Sequence, residues 1–163
     1  MEISAVVMAA GRSTRMKSKH SKVTFQVSGK PIIQWVADAL FESGCQDQVY
    51  IVGEQQAEIR GILGENVAYV LQEEQRGTGH AVMQAAPFLE GRDGLTIVLP
   101  GDCPMVSTDT IKKALNAFES AESNCAAILI TAEADDPTGY GRIIRGEDGN
   151  VIKIVEHKDC TEE

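Results

Sequence analysis

Short apolar runs alternate along the chain with segments of helical periodicity. The runs have the length of buried strands and are bounded by Gly, Pro or polar residues. They are Ile3–Ala9, Gln48–Val52, Val67–Leu71, Thr96–Leu99 and Ala126–Thr131. Two further runs, Ile143–Ile144 and Val151–Val155, flank Asp148-Gly149, which is typical of a hairpin turn.

Helical patterns fill the intervals between these runs. Pro31 opens a helix that ends near Gly44, and its apolar face is predicted to contain Ile32, Ile33, Val36, Leu40 and Phe41. Glu54–Leu63 is predicted to be a second helix, and Thr78 is a candidate N-cap for a third that runs through Phe88. A fourth presents Ile111, Ala114, Leu115 and Phe118 on one face, with Ser107 or Thr108 as its cap.

Strands that alternate with helices predict an α/β fold. Right-handed crossovers make this a Rossmann-like, doubly wound and mostly parallel sheet with helices on both faces. With 163 residues the chain has the length of one domain. Ligands of such sheets bind beyond the carboxyl ends of the strands, so the turns after Ala9, Leu71 and Leu99 are the candidate sites.

The charge is unevenly distributed along the chain. The formal net charge is −9, which argues against general affinity for nucleic acid or an anionic membrane. Between Ile3 and Ala37, however, no Asp or Glu occurs. That interval holds only basic charges, which are Arg12, Arg15, Lys17, Lys19, Lys22 and Lys30. The segment is predicted to be an anion site, with a solvated basic loop as the alternative.

Other sequence features favour a cytoplasmic protein without a membrane segment. No apolar run approaches the roughly 20 residues that a transmembrane helix needs, and the N-terminus lacks the basic region of a secretory signal. Cys45, Cys103, Cys125 and Cys160 are widely spread and have no zinc-ligand spacing. They are expected to be reduced and mostly buried thiols.

The first turn has the composition of a phosphate-binding loop. It contains the small residues Ala9, Ala10 and Gly11, which let the backbone approach a phosphate, followed by Arg15 and Lys22, whose charges can hold it. It matches neither the Walker A motif nor the Rossmann glycine triplet.

This loop resembles the signature of the sugar-1-phosphate nucleotidyltransferases. Three later segments, Leu71–Ala81, Gly139–Ile143 and Ile154–Asp159, resemble the uridylyltransferase domain of the bifunctional N-acetylglucosamine-1-phosphate uridylyltransferase/glucosamine-1-phosphate acetyltransferases. The resemblance implies transfer of UMP from UTP to N-acetylglucosamine 1-phosphate with Mg²⁺, giving UDP-N-acetylglucosamine and pyrophosphate.

The resemblance also implies a role for particular residues. Arg15 and Lys22 are the expected catalytic residues, and Glu156 with Gly141 the expected sugar contacts. Asp102 is the expected Mg²⁺ ligand and, like Lys22, also contacts the nucleotide. The other expected nucleotide-binding residues are Met8, Ala9, Ala10, Gly11, Gln72, Gly77, Thr78 and Gly101.

The sequence departs from the family pattern at Ser13, Ser21 and Pro100, where relatives commonly have Gly, Pro and Tyr. The chain also ends at Glu163, before the family's Asn residues for the sugar and the metal and before the acetyltransferase β-helix. The domain is therefore expected to be short, with a homo-oligomer or partner chain as one way to complete its site. The alternatives are a cytidylyl- or guanylyltransferase for another acceptor, as in the molybdopterin cofactor enzymes, and a non-catalytic nucleotide- or sugar-nucleotide-binding module or fragment.

Overall fold

A parallel four-stranded sheet forms the larger of two compact units in a computed structural model. The structure describes residues 2–11, 16, 18–121 and 125–160. The first unit is Met1–Glu119 and the second is Ser120–Glu163. The strands are β1 (Glu2–Met8), β2 (Gln26–Val27), β3 (Lys30–Pro31), β4 (Asp47–Val52), β5 (Ala68–Leu71), β6 (Gly94–Pro100), β7 (Arg142–Arg145) and β8 (Val151–Val155). The helices are α1 (Ile32–Glu42), α2 (Gln56–Leu63), α3 (Thr78–Met83), α4 (Ala86–Leu89) and α5 (Thr108–Glu119), with 3₁₀ helices at Lys22–Thr24 and His157–Asp159.

The main sheet has the order β5-β4-β1-β6, and every neighbouring pair is parallel. The chain moves outward from β1 to β4 and β5, and then returns past β1 to form β6. The winding direction therefore reverses between β1 and β6, where the register pairs Met8 with Pro100. In doubly wound sheets this reversal opens a crevice at the carboxyl ends of the strands.

Helices cover both faces of the sheet, which confirms the predicted fold class. Residues of α1, α2 and α5 share one buried cluster with β1 and β4, including Ile33, Ile59 and Ile111. Ala81 and Ala85, from the α3–α4 region, share a second cluster with the opposite side chains of the same strands.

The predicted apolar face of α1 is wrong at one position. Ile33, Val36 and Leu40 are buried, whereas Phe41 is 59% exposed. Leu40 lies on the stripe formed by positions i, i+3 and i+7. Phe41 follows it by one residue, and one residue turns a helix by about 100°, so its ring leaves the core.

The predicted third helix is divided in two, and Thr78 is not its N-cap. Gly77 occupies the cap with φ of 105°, and Thr78 is the first helical residue. The break lies at Gln84–Ala85, just before Pro87, which has no N–H for the helical ladder. Ser107, in contrast, is confirmed as a cap, because its Oγ accepts the Thr110 N–H at 3.2 Å.

Ala126–Thr131 was expected to be a strand, but it forms none in the structure. Ile128, Leu129 and Ile130 are 40–55% exposed. The second unit instead contains the predicted hairpin, in which antiparallel β7 and β8 are joined through Asp148-Gly149. Without a ladder partner, the β-branched and apolar composition of Ala126–Thr131 is not sufficient to make it a strand.

The thiols are less buried than expected. All four cysteines are free, but only Cys45 is fully buried, and this burial, together with the charge of Asp47, raises its pKa to about 12. Within the described part of the chain, no helix has both the length and the apolar composition that a bilayer crossing requires.

Candidate functional site

A pocket of about 400 Å³ lies at the carboxyl ends of β1, β5 and β6 in the first unit. Its volume falls within the range of about 300–1,000 Å³ that small-molecule sites commonly have. Residues from four distant parts of the sequence line it. They are Met8, Ala9, Ala10, Gly11, Lys22, Val23, Gln72, Gln75, Gly77, Thr78, Ala81, Pro100 and Asp102.

The backbone around this pocket is held by hydrogen bonds that extend the sheet beyond its strands. The N–H of Ala9 donates to Ile51 O at 2.8 Å, and that of Gln72 donates to Val52 O at 2.8 Å. The Gly101 N–H donates to Met8 O at 2.9 Å. Because these hydrogen bonds already order the backbone, less conformational entropy is lost when a ligand binds here.

Gly101 is packed beside the pocket and is not among its lining residues. A Cβ at this position would lie 3.0 Å from Ile33 Cδ1 and 3.1 Å from Met8 O. Its N–H is already used by Met8. The structure therefore explains this glycine by close packing of β6 against β1, and its expected contact with the nucleotide stays a prediction.

Lys22 reaches the pocket from the 3₁₀ helix that it begins. The next residue, Val23, is 1% exposed and belongs to the main core, so the backbone at Lys22 is anchored. Its ammonium group forms an ion pair with Asp102, which is 80 positions away in the sequence. The Lys22 Cε also lies 3.5 Å from the position that a Gly11 Cβ would occupy. The site therefore joins a mobile cation, a carboxylate and a small-residue loop.

Glu58 of α2 anchors the segment that carries Lys22. Its carboxylate accepts the Ser21 N–H at 3.2 Å, lies 3.1 Å from Thr24 Oγ1, and lies 2.9 Å from His20 Nδ1. Desolvation raises the pKa of Glu58, but the hydrogen bonds from these three partners outweigh it and lower the pKa below its ordinary value. The ionised carboxylate therefore favours this loop conformation.

Gln72 is nearly buried, and it projects from the end of β5 beside α3. Its side chain is in contact with His80, and Gln72 lines the same pocket as Gly77 and Thr78. Gly77 has φ of 105°, a conformation that other residues rarely adopt, so a side chain there would strain the turn. An amide and a tight backbone turn provide directional hydrogen-bonding groups, as recognition of a nucleobase requires.

Sequence reasoning missed several residues of this site. Gln75 donates from its amide to Ala10 O and so joins the β5 loop to the first loop. His80 contacts Gln72, and Gln84 contacts His80 through its other ring nitrogen. The spacing of four between His80 and Gln84 was the available signal. For Gln75 we find no signal, since nothing distinguishes it from the other polar residues of its loop.

The remaining expected site residues are Arg15, Gly141 and Glu156. Arg15 falls outside the described residues. Gly141 and Glu156 are both exposed in the second unit, where they flank the Arg142–Val155 pair at one end of the hairpin. Lys30 is not at this pocket, because its Nζ pairs with Asp38 at 2.6 Å and lies over the Trp35 ring.

The side chains present fit a divalent ion only if the nucleotide supplies further ligands. Among the described residues no cluster of three or more His, Cys, Asp or Glu side chains could hold a metal. Of the residues described, Asp102 is the one carboxylate that lines the pocket, and its side chain is 36% exposed. A hard ion such as Mg²⁺ typically binds through one or two carboxylates plus substrate phosphates, which is the donor set available here. Burial and the charge of Asp102 raise the pKa of neighbouring Cys103, so that thiol is a poor metal ligand or nucleophile.

Known proteins of similar sequence or similar fold are consistent with the sheet and the pocket described above. The chain is 51% identical over 161 residues to the bifunctional protein GlmU of Brevibacillus brevis; the match covers 99% of this chain and 34% of that protein. The chain therefore spans about a third of the length of such relatives.

Two solved structures share the fold at low sequence identity. One is 4-diphosphocytidyl-2C-methyl-D-erythritol synthase from Anaerococcus prevotii, with TM-score 0.65, 18% identity, and coverage of 96% of this chain and 65% of that one. The other is a manganese complex of Rv0371c from Mycobacterium tuberculosis, with TM-score 0.62, 20% identity, and coverage of 75% and 62%.

A family model covers most of both the sheet and the pocket. The model for the MobA-like NTP transferase domain matches residues 5–147, an interval that contains every residue lining the pocket. The order of the parallel strands, the crevice between β1 and β6, and the small-residue loop after β1 are consistent with that match. The chain therefore belongs to the family of MobA-like NTP transferase domains.

Proposed function

We propose that this chain is a uridylyltransferase domain that transfers UMP from UTP to N-acetylglucosamine 1-phosphate. The observation that carries the proposal is the pocket at the β1–β6 crevice, where Lys22 and Asp102 meet below a loop of small residues. The similarity to GlmU along 99% of the chain supports the choice of uridylyl transfer within the family.

Different residues of the pocket would bind the base and the phosphates of a nucleoside triphosphate. Gln72, Gly77 and Thr78 form the wall that would receive uracil, because the ring offers one donor between two acceptors. Ala9, Ala10 and Gly11 also line the pocket, and their small size would admit the phosphates. Lys22 lies at the phosphate end, and its point charge would neutralise the α-phosphoryl group.

The reaction would be an in-line attack of the sugar-phosphate oxygen on the α-phosphorus, with pyrophosphate as the leaving group. Such transfers depend mainly on positioning and charge neutralisation and need no covalent protein intermediate. When bound, Mg²⁺ would neutralise phosphate charge, and Asp102 is the residue that would hold it. Since Lys22 pairs with the same carboxylate, Lys22 would be free to move to the phosphates once Asp102 has another cation. Arg15 remains the proposed partner of the leaving pyrophosphate, and Gly141 and Glu156 the proposed sugar contacts.

Release of pyrophosphate by the purified chain tests this proposal. With UTP, Mg²⁺ and N-acetylglucosamine 1-phosphate, we expect Lys22→Ala and Asp102→Ala each to lower kcat/KM by about 10²–10³, the usual effect of removing one preorganised electrostatic group. Lys30→Ala is the matched control: it removes a lysine from the same basic segment, but one that pairs with Asp38 away from the pocket.

Each further outcome has a distinct meaning. If both variants turn over UTP like the parent chain, the site assignment is wrong. If the parent releases more pyrophosphate from CTP or GTP than from UTP, the domain is a nucleotidyltransferase of another base. If the parent binds UDP-N-acetylglucosamine but gives no turnover, it is a binding module.

A further inference from the structure

His80 of α3 lies between two glutamine amides. Its Nδ1 is 3.0 Å from the Gln72 amide, and its Nε2 is 3.2 Å from the Gln84 amide. The same Gln84 amide nitrogen is 3.1 Å from the main-chain oxygen of His80. Gln72 is 5% exposed and lines the pocket. Which His80 nitrogen carries the proton therefore affects the part of the site that would receive the base.

The chemistry of imidazole restricts how the two amides can be oriented. An uncharged histidine has one N–H donor and one acceptor nitrogen. It therefore cannot accept hydrogen bonds from the NH₂ groups of both glutamines. One amide must face His80 with its oxygen, and a half-turn of a glutamine amide exchanges its oxygen and nitrogen without other movement.

Gln84 is the amide whose orientation is already decided. A main-chain carbonyl oxygen only accepts hydrogen bonds, so the Gln84 atom beside His80 O must be the NH₂ group. That NH₂ group also faces His80 Nε2, which must then be the acceptor nitrogen. The proton of the ring is consequently on Nδ1, and Gln72 must accept it with Oε1.

We propose that His80 is a positioning residue that turns the Gln72 NH₂ group toward the pocket and so makes the site selective for a base carbonyl. This inference rests on the proposed function, because it assumes that Gln72 faces the base. Uracil has carbonyl oxygens at both position 2 and position 4. Cytosine keeps the carbonyl oxygen at position 2 but has an amino group at position 4. The discrimination therefore requires that the Gln72 NH₂ group faces position 4, where two opposed donors in a desolvated wall would exclude cytosine.

Gln84→Glu tests this proposal, because it should reverse the orientation of the Gln72 amide. A carboxylate accepts the ring proton at Nε2. In the uncharged ring Nδ1 then becomes an acceptor and Gln72 turns its NH₂ group toward His80, so the ratio of turnover with UTP to that with CTP is measured at a pH at which the NMR spectrum shows an uncharged ring. The Gln72 carbonyl oxygen then faces the pocket and pairs with a base amino group. We expect the ratio of kcat/KM for UTP to that for CTP to fall by at least about tenfold, as an unpaired buried polar group requires.

Met83→Glu is the matched control for the added charge. Met83 is the neighbouring residue, is 70% exposed, and is not among the residues named as lining the pocket. A negative charge there would weaken UTP and CTP alike and leave their ratio unchanged. His80→Phe keeps a ring but removes both hydrogen bonds, so it should lower the UTP preference without creating a preference for CTP.

The tautomer of His80 can be measured without any turnover. Long-range ¹H–¹⁵N NMR spectra of the full chain should show the proton on Nδ1 in the parent and on Nε2 in Gln84→Glu. A parent with the proton on Nε2, or a Gln84→Glu ratio equal to that of Met83→Glu, would overturn the inference. An inactive parent with the expected tautomers would instead count against the proposed function alone.

Discussion

At the scale of single residues, the side chains that prepare the pocket are mostly not the ones that line it. Glu58 does not line the pocket, yet its carboxylate holds the Ser21 N–H and the segment that begins with Lys22. His80 and Gln84 orient Gln72 in the same indirect way. Residues of this kind hold the direct contacts in productive geometry, and their loss costs activity through disorder of a neighbour.

Glu58 gives the protein a stability that depends on pH. Its pKa is lower in the folded chain than the ordinary value of 4.5, so its ionised form is favoured by folding. The stabilisation is therefore complete above about pH 5 and is lost as the pH falls through the folded pKa. We expect Glu58→Gln to reduce the free energy of unfolding at pH 7, and we expect the difference from the parent to shrink as the pH falls below 4.5.

Urea unfolding of both chains between pH 7 and pH 4 measures this difference. Glu65→Gln is the control, because Glu65 is 83% exposed and has a long ion-pair distance of 3.7 Å to Arg60. A difference that stays constant with pH would mean that Glu58 acts through packing rather than through its charge.

At the scale of elements, α1 shows how a helix covers the sheet with one narrow stripe of side chains. In α1 the stripe is centred on Ile33, Val36 and Leu40, while Phe41 lies beside it in solvent. Two other helices are short: α3 and α4 have six and four residues, and their stability comes from packing against β1 and β4. The sheet thus fixes where the helices lie, and the loops that line the pocket depend on where those helices and the strands end.

Two substitutions in α1 distinguish buried from exposed apolar residues. Ile33→Ala removes a side chain that is fully buried in the main core, and we expect it to cost about 2–5 kcal/mol of unfolding free energy. Phe41→Ala removes a larger but mostly exposed side chain, and we expect a change below about 1 kcal/mol.

Denaturant titration followed by the fluorescence of Trp35 measures both effects. Trp35 is the single tryptophan of the chain and lies in α1, so its signal reports on the first unit. Equal costs for the two substitutions would contradict the described orientation of the helix.

At the scale of the whole molecule, an acidic protein presents a pocket of mixed charge. The net charge is −9, and a triphosphate adds further negative charge beside Asp102. Among the residues that the structure describes, Lys22 is the cation that pairs with Asp102. Binding of UTP without a divalent ion would therefore set phosphate oxygens against a carboxylate, which is unfavourable in a partly desolvated site.

This charge balance predicts that UTP stabilises the chain mainly together with Mg²⁺. At a ligand concentration about 100 times Kd, binding adds about 2.7 kcal/mol. For a domain of this size that corresponds to a rise in Tm of about 5–10 °C. Thermal unfolding with UTP should show this rise with Mg²⁺ and a much smaller one with EDTA.

Asp102→Ala should remove the dependence on Mg²⁺, because it removes the carboxylate that opposes the phosphates. Asp109→Ala, on the exposed surface of α5, should keep it. An equal rise in Tm with and without Mg²⁺ in the parent chain would contradict the proposed role of Asp102.

Residue type and periodicity are enough to predict most of the fold and the location of the site. Ile3–Ala9 reads as a buried strand because its side chains are apolar on both faces, and in the structure this segment becomes the central strand β1. Parallel strands place their carboxyl ends at one edge, so the turns after β1, β5 and β6 had to converge there. The small residues of Ala9–Gly11 and the amide and charged groups of the later turns then indicate an anion and nucleotide site.

Only the tertiary structure decides which side chains meet within that site. Lys22 and Asp102 are 80 positions apart, and Gln75 and Ala10 are 65 apart, so no local pattern could pair them. Exposure is decided in the same way, since Phe41 and Ala126–Thr131 are apolar in sequence but find no covering element among the described residues. Periodicity reports the face that a segment can bury, whereas burial and pairing depend on what the rest of the chain brings against that face.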